Sequence, residues 1–129
     1  MAVDYILDTH VLLWFLQGNN QISETARDII CDKTCKKFIS IVSTWEIAIK
    51  NRIRKLPLPN GIFDVFDKIE SNGFGFIGIE RKCVEIYNSL PLIHRDPFDG
   101  MIVASAIYKQ MTIVTADENI QQYDVSWVW

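Results

Sequence analysis

The stretch that most constrains this chain is Asp96-Pro97-Phe98-Asp99-Gly100-Met101-Ile102-Val103-Ala104-Ser105-Ala106. Proline lacks a backbone donor but suits the first helical position, so Pro97 predicts a helix start with Asp96 as its cap. Phe98, Ile102 and Ala106 then recur at helical spacing, as do Asp99, Val103 and Ile107. Asp99 is therefore expected on or beside the face that this helix must bury. A carboxylate there is costly unless it is hydrogen-bonded, paired or bound to a metal. A capping box formed by Asp96 and Asp99 would satisfy free backbone amides with no further function.

With 129 residues, 49% hydrophobic and 22% charged, the chain has the make-up of one soluble globular domain, residues 1–129, with a real core. Its longest nearly apolar run, Met101 to Tyr108, is too short to span a membrane. Asp4 and Asp8 inside the first apolar segment do not suit a signal peptide, so the cytoplasm is the expected location. Cys31, Cys35 and Cys83 leave one thiol unpaired under any disulfide scheme and have no second Cys or His pair to complete a zinc site. Reduced structural thiols are expected. The net charge of −3 argues against a protein coated for non-specific nucleic-acid binding, though a basic rim around an acidic site is compatible with it.

In chain order, Val3 to Leu7 reads as a buried strand ending at Asp8-Thr9, and His10 to Leu16 as a helix closed by Gly18-Asn19-Asn20. A second helix runs from Ser23 to about Lys33, and a second strand from Lys36 to Ser40. The next helix, from Ser43, carries an apolar stripe of Val42, Trp45, Ile49, Ile53 and Leu56 with Glu46 on the same side, and Pro57 and Pro59 end it. Phe63, Phe66 and Ile69 belong to a helix that stops at Asn72-Gly73. Phe74 to Ile79 is a third strand whose glycines suggest close packing against another backbone. A helix over Arg81–Leu90, a loop and the helix over Pro97–Gln110 follow. Met111 to Thr115 is a fourth strand, Glu118 to Gln122 a helical turn, and Val125 to Val128 a last strand.

Strands alternating with helices imply a parallel sheet covered on both faces, and such sheets bind ligands outside the carboxyl ends of their strands. Asp8 and Asp117 fall at that edge, and Glu46 and Asp99 lie near helix starts that enter from it. Each has a plain structural alternative: Asp8 with Thr9 as a cap, Glu46 paired with Lys50, Asp117 capping the last turn. If the four converge, their mutual repulsion disfavours ionisation, and a divalent cation relieves it. Mg²⁺ binds through a few carboxylates while keeping waters, and two such ions about 4 Å apart can activate water against a phosphodiester.

Leu7-Asp8-Thr9-His10-Val11-Leu12-Leu13-Trp14, Ser43-Thr44-Trp45-Glu46-Ile47-Ala48-Ile49-Lys50, His94-Arg95-Asp96-Pro97-Phe98-Asp99 and Thr115-Ala116-Asp117 together resemble the PIN-domain family, most closely the VapC-type toxins of toxin–antitoxin pairs. The resemblance runs from near residue 3 to the C-terminus. It implies a three-layer α/β/α sandwich with a parallel sheet of four to five strands, and a ribonuclease dependent on Mg²⁺ or Mn²⁺. By position, Asp8, Glu46, Asp99 and Asp117 look like the metal-binding catalytic set, with Asp96 an extra candidate ligand and Thr9 and Thr115 as accessory polar groups. Gly100 departs from the family pattern, in which Arg often follows the acidic residue. The resemblance also implies a homodimer and a small antitoxin partner alongside the RNA substrate.

His94 and Arg95 are candidates for touching substrate phosphate, and solvated loop positions are the alternative. His10 and His94 are not spaced as a zinc pair and neither is taken as a ligand. The basic run Lys50, Arg52, Arg54 and Lys55 suits a solvated helix end, with the lining of an RNA path as the alternative. Trp127 and Trp129 suit packing of the last strand, with a partner surface as the alternative. Two other functions compete: a non-catalytic PIN module that binds RNA or protein, and a phosphatase with an aspartyl nucleophile. The second expects another Asp two residues after Asp8, where this chain has His10.

Overall fold

The computed structural model describes residues 3–129. The elements are β1 (Tyr5–Leu7), α1 (Thr9–Gln17), α2 (Glu24–Cys31), β2 (Lys37–Ser40), α3 (Ile41–Arg52), α4 (Gly61–Ser71), β3 (Gly75–Ile77), α5 (Arg81–Ser89), α6 (Pro97–Lys109), β4 (Thr112–Val114), α7 (Glu118–Gln121) and β5 (Trp127–Val128). Every expected element is present, with each strand one to three residues shorter than expected. All strand pairs are parallel, in the order β3-β2-β1-β4-β5. The chain builds outward from β1 to β3 and then crosses back to the other side of β1. The topological switch therefore lies between β1 and β4, where open parallel sheets place their ligand crevice.

Side chains alternate across the sheet and split the core in two. Leu7, Ile39 and Val114 pack with Val11 and Leu12 of α1, Ile30 of α2, Ile47 of α3 and Ile69 of α4. Ile6 and Ile113 pack on the other face with Ile102, Val103 and Ala106 of α6 and Ile120 of α7. These are the three layers of an α/β/α sandwich, with five strands at the centre. Among the described residues, no helix is long and apolar enough to cross a membrane.

Helix starts follow local chemistry. Asp8, Ser23, Ser40, Asp96 and Asp117 all accept a hydrogen bond from a free amide of the helix they precede. Gly18 closes α1 at φ 66°, a left-handed conformation that costs glycine nothing.

Two expectations need correction. In α3 the buried face is Val42, Ser43, Thr44, Glu46 and Ile47, whereas Trp45 is 59% and Ile53 56% exposed. Trp45 and Ile53 of the expected stripe thus face outward while Val42 is buried, because the inward face also carries Ser43, Thr44 and Glu46 at the sheet edge. In β3, Gly75 does avoid a clash, but with a side chain: a Cβ there would lie 2.9 Å from the Phe38 ring, whereas Gly78 meets nothing within 4 Å.

Candidate metal-binding active site

Leu7 is in register with Val114, so Asp8 and Thr115 lie side by side just past the carboxyl ends of β1 and β4. The Thr115 hydroxyl donates to Asp8 Oδ2 and accepts from the Asp117 amide at 3.0 Å. One buried threonine therefore sets the spacing of two acids that are distant in sequence. Asp8 Oδ1 accepts from the Val11 amide at 2.8 Å, and Asp117 Oδ1 accepts from the Asn119 and Ile120 amides. The capping roles foreseen for these residues are real. They orient the carboxylates and do not compete with a site.

α6 starts at the same edge. Asp96 Oδ1 accepts from the Phe98 and Asp99 amides, as a cap should. Asp99 is 6% exposed and turns into the crevice, its Oδ2 3.0 Å from His94 Nε2. His94 Nε2 is also 4.0 Å from Asp117 Oδ2. His94, Asp99 and Asp117 each offer one ligand atom, all within 4.8 Å of one another. α3 contributes Glu46, 3% exposed, with Oε2 paired to Lys50 Nζ at 2.9 Å and Oε1 buried without a hydrogen-bond partner.

The carboxylates sense one another. Burial, followed by the charges of Asp96, Asp8, Asp117 and Glu46, pushes the Asp99 carboxyl up from 3.8 to about 7. Burial also raises Asp8, against the opposing hydrogen bonds from Thr115 and Val11. The recess over Asp8 and Asp117, bounded by His10, Trp14 and Ala116, holds about 130 Å³. That accommodates ions and waters and is too small for a nucleotide.

The PIN domain family model matches residues 5–126. The chain belongs to the PIN domain family. No curated protein matches this PIN domain significantly in sequence. Solved structures match it in fold across their full length. VapBC2 from Rickettsia felis, solved bound to a DNA fragment from its promoter, superposes with a TM-score of 0.72 at 18% identity, covering 98% of this chain and 99% of that one. A toxin–antitoxin complex from Klebsiella pneumoniae gives 0.68 at 15% identity, covering 98% and 97%. FitAcB from Neisseria gonorrhoeae gives 0.66 at 19% identity, covering 97% and 96%.

The donor set of this PIN domain fits a hard divalent cation. It offers carboxylate oxygens, an orphaned buried oxygen at Glu46 and an aspartate whose charge is disfavoured until something positive arrives. The residues singled out from sequence sort as follows. Asp8, Asp99 and Asp117 gather at the crevice, and the charge of Glu46 reaches Asp99 from α3. Asp96 adds negative field while capping. Thr115 is a hinge pin of the site, whereas the Thr9 hydroxyl donates to Ser43 Oγ at 2.9 Å and ties α1 to α3. Arg95 lies exposed on the loop. His94 departs from expectation: its ring lies among the carboxylates, whereas the sequence points only to a phosphate contact or a solvated loop position. The Tyr123 hydroxyl accepts the His94 amide at 3.1 Å and fixes the loop there. Periodicity carries no information on a loop's path, so nothing in the spacing points to that contact.

Proposed function

We propose that this chain is a divalent-cation-dependent endoribonuclease and the toxin member of a toxin–antitoxin pair. The convergence of Asp8, Glu46, Asp99 and Asp117 on the switch-point crevice, with one buried Glu46 oxygen left unpartnered, carries this reading. Membership of the PIN family and the likeness to VapBC and FitAcB folds support it.

Mg²⁺ or Mn²⁺ held by these four residues would supply charge neutralisation for the phosphodiester and acidity for the attacking water. The chain's own groups prepare that state. Thr115 and the Val11 amide hold the Asp8 carboxylate in one orientation. Asp117 commits one oxygen to its helix and presents the other to the crevice. Lys50 secures one Glu46 oxygen and leaves the other for a ligand. His94, seated at the mouth with a side chain 23% exposed, is placed to donate to a phosphate oxygen once Asp99 is otherwise engaged. Arg95 can meet the next phosphate from the exposed loop.

Two partners fit remaining surfaces. The exposed residues Ile41, Trp45 and Ile53 along α3 continue onto Phe98 of α6, whose ring meets Trp45 edge-on with centroids 5.4 Å apart. It offers a second copy of the chain an apolar face. The cleft between α1 and α4, about 230 Å³ and lined by Leu13, Leu16, Leu58 and Val65, suits an apolar antitoxin segment.

Purified protein is expected to cleave RNA with Mg²⁺ or Mn²⁺ and to stop when the cation is chelated. Asp8→Asn and Asp99→Asn should each lower the rate by about a hundredfold or more, as loss of a cation ligand does. Full activity in both variants would refute these roles. Cation-dependent thermal stabilisation without any cleavage would leave a binding module.

A further inference from the structure

The recess over the acids is too small to seat a nucleotide, so the bases of a bound strand must lie on neighbouring surface. One cavity opens directly off the acidic cluster. It is a groove of about 380 Å³ between α5, the loop before α6 and the first turn of α6, within the range of roughly 300–1,000 Å³ usual for small-ligand pockets. His94 lines it and its ring also meets Asp99 at 3.0 Å, so groove and cluster adjoin at this residue.

The lining is suited to a base. Tyr87 presents its ring beside Gly100, where even a methyl group would come within 3.4 Å of Cε2. Glycine inside a helix costs about 1 kcal/mol relative to alanine. Here its effect is to let the Tyr87 ring pack directly on the first turn of α6, which holds the ring in place with its remaining surface toward the groove. Leu90 and Pro91 add apolar wall, and Asn88, exposed at the rim, brings an amide donor and acceptor. No carboxylate, lysine or arginine lines the groove. Val84 is 51% exposed and Leu92 fully so, a patch of apolar surface at its mouth with no partner within the fold. Single-stranded RNA is recognised in just this way, by bases splayed onto aromatic rings and read along their polar edges.

We propose that this groove receives one nucleobase of the RNA strand next to the scissile phosphate, stacked against Tyr87 and read at its edge by Asn88. The proposal rests on the nuclease reading for the position of the phosphate. It adds a specificity pocket on the α5 side of the site. Tyr87 and Asn88 would then decide which base precedes or follows the cut.

The test uses the full chain and a set of short ribo-oligonucleotides carrying a single abasic residue at successive positions around the cleaved bond. With wild-type protein, one position should show a loss in kcat/KM of about five- to a hundredfold, the span that base–aromatic stacking supplies. In Tyr87→Ala that penalty should vanish, in Tyr87→Phe it should persist, and Asn88→Ala should change base preference without changing the position. Gly100→Leu should fill the groove and mimic Tyr87→Ala, while Gly100→Ala should remain close to wild type. Thermal melts establish that each variant is folded. Binding of the same oligonucleotides to Asp8→Asn, followed by fluorescence anisotropy, repeats the scan without turnover. An abasic penalty that depends on Tyr87 in binding, with no cleavage by wild type, would sink the nuclease reading and keep the groove. Cleavage in which no base position matters, or whose penalty is unchanged in Tyr87→Ala, would overturn the groove. So would a stable dimer that Leu92→Asp dissociates, since a second copy would then occupy it.

Discussion

At the scale of single residues, the site is held under electrostatic load. Asp99 retains its proton in the folded chain up to about 7, whereas an unstructured aspartate releases it near 3.8. Between those values the unfolded state binds fewer protons than the native one, so stability without a cation falls as pH rises through that window and levels off above it. The loss should be on the order of 1–3 kcal/mol once solvent relaxation around the group is allowed for. Thermal melts in chelator at pH 5 and pH 8 should show the higher midpoint at pH 5, and Mn²⁺ at pH 8 should recover most of the difference. Asp99→Asn should flatten the pH dependence and blunt the response to cation. A wild-type midpoint that rises from pH 5 to pH 8 in chelator would contradict the crowding of these acids. All four carboxylates were legible as candidates beforehand because a strand end or a helix start fixes where a side chain points. His94 was not, since its position depends on a tether from Tyr123, 29 residues further along.

At the scale of elements, the sequence located every helix and strand yet misjudged which way α3 faces. A 3.6-residue period shows that a helix has two faces, and it does not say whether the apolar one meets the core or a partner. Ser43, Thr44 and Glu46 are buried because α3 begins at the sheet edge, where Thr9 and the crevice take up polar groups. The packing of β3 was half visible: glycine signalled a close approach, and only the β2–β3 register identified Phe38 as the neighbour. Gly75→Ala should therefore destabilise the fold by about 1–3 kcal/mol, the usual cost of overpacking. Phe38→Leu in the same chain should recover part of that loss. Additive losses in chemical denaturation of the double variant would show that the ring is not the obstacle.

At the scale of the whole molecule, two opposed demands share one sheet. Its faces are apolar and bury both helical layers, while its carboxyl edge collects acids that repel one another. The outward α3 stripe and Phe98 lie beside that edge, so pairing of two chains through this surface would place two acidic crevices near each other. Trp45→Glu should convert a dimer to a monomer in sedimentation velocity while leaving the melting temperature within a few degrees, because Trp45 lies outside the core. A wild-type chain that is monomeric at tens of micromolar would remove this surface from consideration.

The fastening of His94 by Tyr123 has a bearing on biosynthesis. Asp8 leaves the ribosome well before its companions at positions 99 and 117, and the phenol that steadies the histidine follows all three. A nuclease built this way would have no complete crevice, and so no means of cutting RNA, until its synthesis had passed Tyr123.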